Sequence, residues 1–119
     1  MKILVIEDDK FFQKFYSTKL TEAGHIVTVA ANGDDGLKKI PEFKPNLILL
    51  DIIMPVKDGF DVLTELSKSP QKNIPVIVFS TLGQEQDVAK AKKLGAKDYI
   101  NKSYFDLDNL KKKITAATR

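Results

Sequence analysis

The chain has 119 residues, 43% hydrophobic and 29% charged, with a formal net charge of +3 and no cysteine. That length holds one domain, 1–119, with a core of its own and no room for a second. The composition excludes a disulfide framework, a zinc–thiolate site and a catalytic thiol. Met1-Lys2 leads straight into a short apolar run, without the longer apolar region of a signal peptide, and no stretch suffices to cross a membrane. A cytoplasmic protein is expected. The basic balance, with a pI near 9.0, comes from lysines spread over predicted helices (Lys38, Lys39, Lys90, Lys92, Lys93, Lys111 to Lys113), which read as solvated faces. They lack the aromatic interleaving of a nucleic-acid binder.

Apolar runs alternate with amphipathic stretches along the chain. The first strand, Lys2–Glu7, has Ile3-Leu4-Val5-Ile6 apolar on consecutive positions, so both of its faces are covered, as in a parallel sheet. It ends in Glu7-Asp8-Asp9, where Asp9 reads as the N-cap of a helix over Lys10–Ala23 that Gly24 stops. That helix packs Phe11, Phe12, Phe15 and Tyr16 into one and a half turns, and they cannot all face inward. A mixed strand follows at His25–Ala30, suited to a sheet edge. His25, the single histidine, starts it on the surface, away from the acids. A second helix runs over Gly33–Ile40 and is expected to end at Pro41.

The third strand, Asn46–Asp51, carries the apolar run Leu47-Ile48-Leu49-Leu50 and finishes on Asp51. Asp58 reads as the N-cap of a third helix at Gly59–Ser67. The fourth strand, Pro75–Ser80, ends in a hydroxyl. A fourth helix, Gln84–Leu94, is stopped by Gly95. Its apolar stripe of Val88, Ala89, Ala91 and Leu94 is thin, which implies low local stability. The fifth strand, Lys97–Asn101, is again mixed and is followed by Lys102. The last helix, Asp106–Thr118, spaces Leu107, Leu110, Ile114 and Ala117 for one buried face.

Short connections and strict alternation give a (βα)5 unit: a doubly wound α/β domain of flavodoxin-like type, with a five-stranded parallel sheet in the order 2-1-3-4-5. Its topological switch point lies between strands 1 and 3, where such sheets hold their chemistry. Glu7 and Asp8 on one side and Asp51 on the other flank that point. Carboxylates so crowded repel unless a cation neutralises them, and an ionised Asp51 beside a cation is a nucleophile. Ser80 and Lys102 end neighbouring strands.

These residues are similar to those of the receiver domain of two-component response regulators, of the chemotaxis-regulator-like type. The resemblance is carried by Ile3-Leu4-Val5-Ile6-Glu7-Asp8, by Asp51-Ile52-Ile53-Met54-Pro55 with Asp58-Gly59, by Val78-Phe79-Ser80 and by Gly95 to Lys102, and it covers the whole chain. It implies that Asp51 accepts a phosphoryl group from a phosphohistidine on a sensor histidine kinase or a histidine phosphotransfer protein. Mg²⁺ would be held by Asp8, Asp51 and the backbone carbonyl of Ile53, with Glu7 acting through water. Lys102 would pair with Asp51 before modification and with a phosphoryl oxygen afterwards. Ser80 would donate its hydroxyl to the phosphoryl group, Tyr99 would turn into the space left, and the face of helix 4, strand 5 and helix 5 would change its preference for a downstream target or output domain. The resemblance implies a self-modifying phosphoacceptor, at most an autophosphatase, rather than an enzyme, acting as a monomer or a phosphorylation-dependent dimer, with no nucleic acid or membrane bound directly. Helix-1 aromatics that the core does not take would suit docking of a phosphodonor helix bundle.

The chain departs from the pattern in places. Ser103 follows Lys102 where the family usually has proline, often after a cis bond. A cis bond before a non-proline costs roughly 3 kcal/mol, so either the bond is trans in a reshaped loop or the site is strained. Thr81 stands where a smaller residue is usual, which narrows access. Ile53 and Leu82 are apolar and cannot orient a water for hydrolysis, which implies a long-lived phosphoaspartate. Rival readings fit less well. A phosphohydrolase of the haloacid-dehalogenase type needs Asp-x-Asp after strand 1 and a cap domain, and Glu7-Asp8-Asp9 lacks that spacing. A flavodoxin-like cofactor binder needs a phosphate loop rich in N–H donors at that place, where this chain has acids. A phosphorylation-independent pseudo-receiver would not need the complete set of acids with Ser80 and Lys102.

Overall fold

The computed structural model describes residues 1–81, 84–104 and 106–119, with Tyr104 described in its backbone only. The elements are β1 (Lys2–Ile6), α1 (Lys10–Glu22), β2 (Ile26–Ala30), α2 (Gly33–Phe43), β3 (Leu47–Asp51), α3 (Gly59–Ser67), β4 (Val76–Ser80), α4 (Glu85–Lys93), β5 (Asp98–Asn101), a 3₁₀ turn (Lys102–Tyr104) and α5 (Leu107–Ala117). The sheet is parallel throughout, in the order β2-β1-β3-β4-β5. The expected architecture and strand order are therefore those observed.

Side chains alternate across the sheet and build two separate cores. Leu4, Ile6, Ile48, Leu50, Val76 and Val78 meet Ile40, Val62, Leu63 and Ala91 from α2, α3 and α4. Ile3, Val5, Leu47, Leu49, Ile77 and Phe79 meet Tyr16 and Leu20 from α1 and Leu110 and Ile114 from α5. β3 and β4 are buried at every position, as consecutive apolar residues require.

Caps fix several helix starts. Asp9 accepts the N–H groups of Phe11 and Phe12 at 2.8 and 3.3 Å. Asp58 and Asp61 form a reciprocal capping box at 2.9 and 3.1 Å. Helix α2 corrects the expected stop at Pro41: it continues to Phe43 and ends on Lys44 in the left-handed region, φ 53°. Pro41 sits in the last turn, so it forfeits little of the helical ladder. The Lys44 N–H still reaches the Ile40 carbonyl at 3.0 Å, and Phe43 packs against the α2–α4 core. Tertiary contact outweighs the proline.

Candidate functional site

Two neighbouring strand tips set the site. β1 and β3 pair with Ile6 opposite Leu50, so Glu7 and Asp51 emerge together one step further on. Alternation places both on the α1–α5 side of the sheet, in line with Val5 and Leu49. The Phe79 side chain lies on that side too, and Lys102, two residues beyond Ile100, follows it. Ser80 and Tyr99 fall on the opposite side by the same count. Pocket and hydroxyl pair thus sit on the two faces of one sheet edge.

Glu7, Asp8 and Asp51 each offer a carboxylate oxygen within 4.8 Å of the others. Glu7 and Asp51 are buried, Asp8 exposed. At that range two unit charges repel by about 3 kcal/mol in a protein-like medium. Lys102 offsets part of this. Its Nζ lies 2.9 and 3.0 Å from the two Glu7 oxygens and 3.4 Å from Asp51 Oδ2, with only 6% of the side chain exposed. The expected pairing of Lys102 with Asp51 is therefore shared, and Glu7 holds the nearer place. Burial, reinforced by the Asp51 carboxylate and opposed by Lys102, still pushes the Glu7 pKa up to about 8. The Ile53 N–H donates to Asp51 Oδ1 at 3.3 Å. Gln13 on α1 donates to the Glu7 carbonyl at 2.6 Å.

An open cleft of about 370 Å³ runs over these groups, lined by Glu7, Asp8, Asp9, Phe12, Asp51, Ile53, Thr81 and Lys102. A wider groove of about 450 Å³, lined among others by Asn46, Asn73, Lys97 and Arg119, lies at the other edge of the sheet, away from the acids. Thr81 stands on the rim of the acidic cleft, and Leu82 lies outside the described residues. The peptide after Lys102 is trans. The chain there turns into a 3₁₀ helix, and the Ser103 N–H bonds to Asn101 Oδ1 at 2.8 Å. The reshaped loop is the alternative realised, and Lys102 still reaches the acids.

Ser80 is fully buried, and its side chain shares a hydrogen bond with the half-buried Tyr99 phenol. Burial raises the Tyr99 pKa against that bond. The helix-1 aromatics divide: Tyr16 is buried, Phe12 and Phe15 are half-buried, and Phe11 is 68% exposed. Tyr16 is pushed up to about 12, chiefly by burial and then by the charges of Glu7 and Asp51. His25 lies apart from the cluster, its Nδ1 3.1 Å from the terminal ammonium. One feature of the site is not apparent from sequence motifs: Phe12 and Phe79 flank Lys102, their ring centres 4.3 and 5.0 Å from Nζ.

The fold and site define a doubly wound α/β domain that carries its acids and a lysine at the topological switch point of the sheet. The sequence model of the response regulator receiver domain matches residues 3–115. The chain is 36% identical over 116 residues to Protein PilH of Pseudomonas aeruginosa, covering 97% of this chain and 95% of that protein. It is 38% identical over 100 residues to Transcriptional regulatory protein AfsQ1 of Streptomyces coelicolor, covering 84% of this chain and 44% of that protein. The chain thus spans about half the length, or less, of several curated relatives. The receiver domain of the Francisella response regulator 1452 superposes with a TM-score of 0.90 at 34% identity, over 98% of this chain and 95% of that one. The chain belongs to the response regulator receiver domain family of two-component signalling.

Proposed function

We propose that Asp51 is the phosphoacceptor of a two-component relay, taking a phosphoryl group from a phosphohistidine on a sensor histidine kinase or histidine phosphotransfer protein. The observation that carries this reading is the buried Asp51 carboxylate at a strand tip, with two further carboxylates within 4.8 Å and a lysine Nζ at 3.4 Å. One Asp51 oxygen attacks phosphorus. The phosphorus–nitrogen bond breaks, and the departing imidazole keeps its electron pair. Such transfer depends on alignment and on cationic stabilisation of the phosphoryl oxygens.

The donor set fits Mg²⁺: hard carboxylate oxygens, one of them on the exposed Asp8, where waters complete the shell. Asp8 and Asp51 would hold the ion directly, with the Ile53 carbonyl as a further ligand and Glu7 through water. When bound, it supplies charge neutralisation at the transferring group. Lys102 then exchanges its carboxylate partners for a phosphoryl oxygen, and Ser80 exchanges Tyr99 for another. Release of Tyr99 biases the face of α4, β5 and α5 toward a downstream protein or output domain, as a monomer or as a phosphorylation-dependent dimer. Helix α4 suits such movement: only Ala91 is fully buried, and its N-cap Gln84 makes no side-chain cap bond. Among the described residues no helix is long and apolar enough to cross a membrane.

The test is intact mass spectrometry after incubation with acetyl phosphate and Mg²⁺. The expected result is the gain of one phosphoryl group, mapped to Asp51 and lost in Asp51→Ala. A protein that stays unmodified, or a label on another residue, overturns the proposal.

A further inference from the structure

The surroundings of the Lys102 ammonium are asymmetric. One side faces Glu7 Oε1 and Oε2 at 2.9 and 3.0 Å and Asp51 Oδ2 at 3.4 Å. On other sides it meets aromatic rings, Phe12 at 4.3 Å and Phe79 at 5.0 Å from Nζ to ring centre. The side chain is only 6% exposed, so rings stand where water would otherwise solvate the charge. A ring face attracts an ammonium through its quadrupole, most strongly where water is excluded. It does so without competing, as water would, for strong hydrogen bonds. The N–H groups are left for carboxylates or for an oxygen that arrives on Asp51.

Both rings are themselves braced. Phe79 is buried on β4 and lies 4.6 Å from the Tyr16 ring. Phe12 stacks at 6.2 Å on Tyr16, four residues along α1, and meets Phe11 edge-on at 5.3 Å. Phe12 is half-buried and lines the acidic cleft. It therefore reaches the reacting region from α1, whereas Lys102 arrives from the far end of β5. The Lys102 backbone belongs to an open 3₁₀ turn beside the exposed Ser103, so restraint on the ammonium falls to the groups around its tip.

We propose that Phe12 is a positioning residue: together with Phe79 it brackets the Lys102 ammonium and confines it to the arc between Glu7 and Asp51, where it meets the incoming phosphoryl oxygen. The inference rests on the phosphoryl-transfer reading of Asp51 and assigns to α1 a part in that chemistry. A long lysine stem loses much rotamer freedom when its tip is held. The bracket meets that cost before the phosphoryl group arrives, and an ammonium already in place raises the rate of the bound complex rather than its affinity for a donor.

The test compares Phe12→Leu, which keeps an apolar side chain of similar reach but has no ring, with Phe12→Tyr, which keeps the ring. Two readouts are taken. The first is the proton shift of the Lys102 ε-methylene in metal-free protein, which a ring face moves upfield of the other lysines. The second is the maximal rate of Asp51 phosphorylation by acetyl phosphate at saturating Mg²⁺. Phe12→Leu should return the ε-methylene part of the way toward the other lysines and slow the maximal rate roughly fivefold, with the half-saturating acetyl phosphate concentration unchanged. Phe12→Tyr should restore both. A Phe12→Leu protein with wild-type rate and shift, or a slowed variant that Phe12→Tyr does not rescue, overturns the bracket. If the wild-type protein takes no phosphoryl group at all, the transfer reading fails, and the methylene shift decides the bracket alone: an ε-methylene level with the other lysines, or unmoved by Phe12→Leu, rejects it.

Discussion

Gly59 ties helix α3 to the strand that bears Asp51, and adding one methyl group there tests how rigidly. A Cβ on Gly59 would lie 2.4 Å from the Asp51 carbonyl oxygen and 2.7 Å from Ile52 Cα, both backbone atoms. Ordinary contact begins near 3.4 Å, so the methyl must move by about 1 Å. β3 cannot yield that distance, because it is buried at every position and paired on both sides. Overpacking typically costs about 1–3 kcal/mol, and a backbone obstacle puts Gly59→Ala near the upper end. For 119 residues the unfolding entropy is about 0.25 kcal/mol/K, so ~3 kcal/mol lowers Tm by ~12 °C. Gly24→Ala is the control. Gly24 has φ +95°, and a methyl group added there would meet no atom within 4 Å, so only the left-handed backbone is penalised, by ~1 kcal/mol or ~4 °C. Thermal unfolding followed by circular dichroism measures both. If Gly59→Ala melts no lower than Gly24→Ala, close approach of α3 to the Asp51 strand is not what requires glycine there.

Two further outcomes are expected. Glu7 has a folded-state pKa raised to about 8 from an ordinary value of 4.5. The folded protein therefore binds its proton more tightly than the unfolded chain, so the associated stability is full below about pH 4.5 and is lost as pH rises through about 8. In metal-free protein, denaturant unfolding should show stability falling across that window and a flatter profile for Glu7→Gln; a variant profile as steep as the wild type refutes the assignment. Ile53 is 51% exposed on the rim of the cleft and offers no group to orient water. The Asp51 phosphoryl group should decay slowly in purified protein and faster in Ile53→Gln, followed by loss of the phosphorylated mass; disappearance within seconds from the wild type, without a phosphatase, contradicts this.

The order of the sheet was legible because burial on two faces demands apolar residues at consecutive positions, and Ile3–Ile6, Leu47–Leu50 and Val76–Phe79 supply them. The mixed runs around Val27 and Tyr99 then had to be edges. Asp9 and Asp58 announced helix starts because short polar side chains cap orphan N–H groups better than they continue a helix. Pro41 misled because a proline's cost depends on how much ladder remains beyond it, which is a matter of Phe43 packing and not of local sequence. The site's composition was equally open to inspection, but its pairing was not. The Lys102 stem spans several ångströms, so the choice between Glu7 and Asp51 turns on differences of about 0.5 Å between 2.9 and 3.4 Å. The aromatic bracket was hidden for a related reason: four rings on α1 are sorted only by the helix's rotation about its axis, and no spacing rule sets that to within a residue.

The division of the interior by the sheet has an evolutionary corollary. Ile3 and Val5 belong to one helical layer and Leu4 and Ile6 to the other, so each strand answers to two separate sets of neighbours. Volume changes above the sheet are met first by the helices on that side. One layer can be revised by successive substitutions while the other keeps its packing, and a lineage can acquire new interlocutors on α1 while α2, α3 and α4 keep their fit.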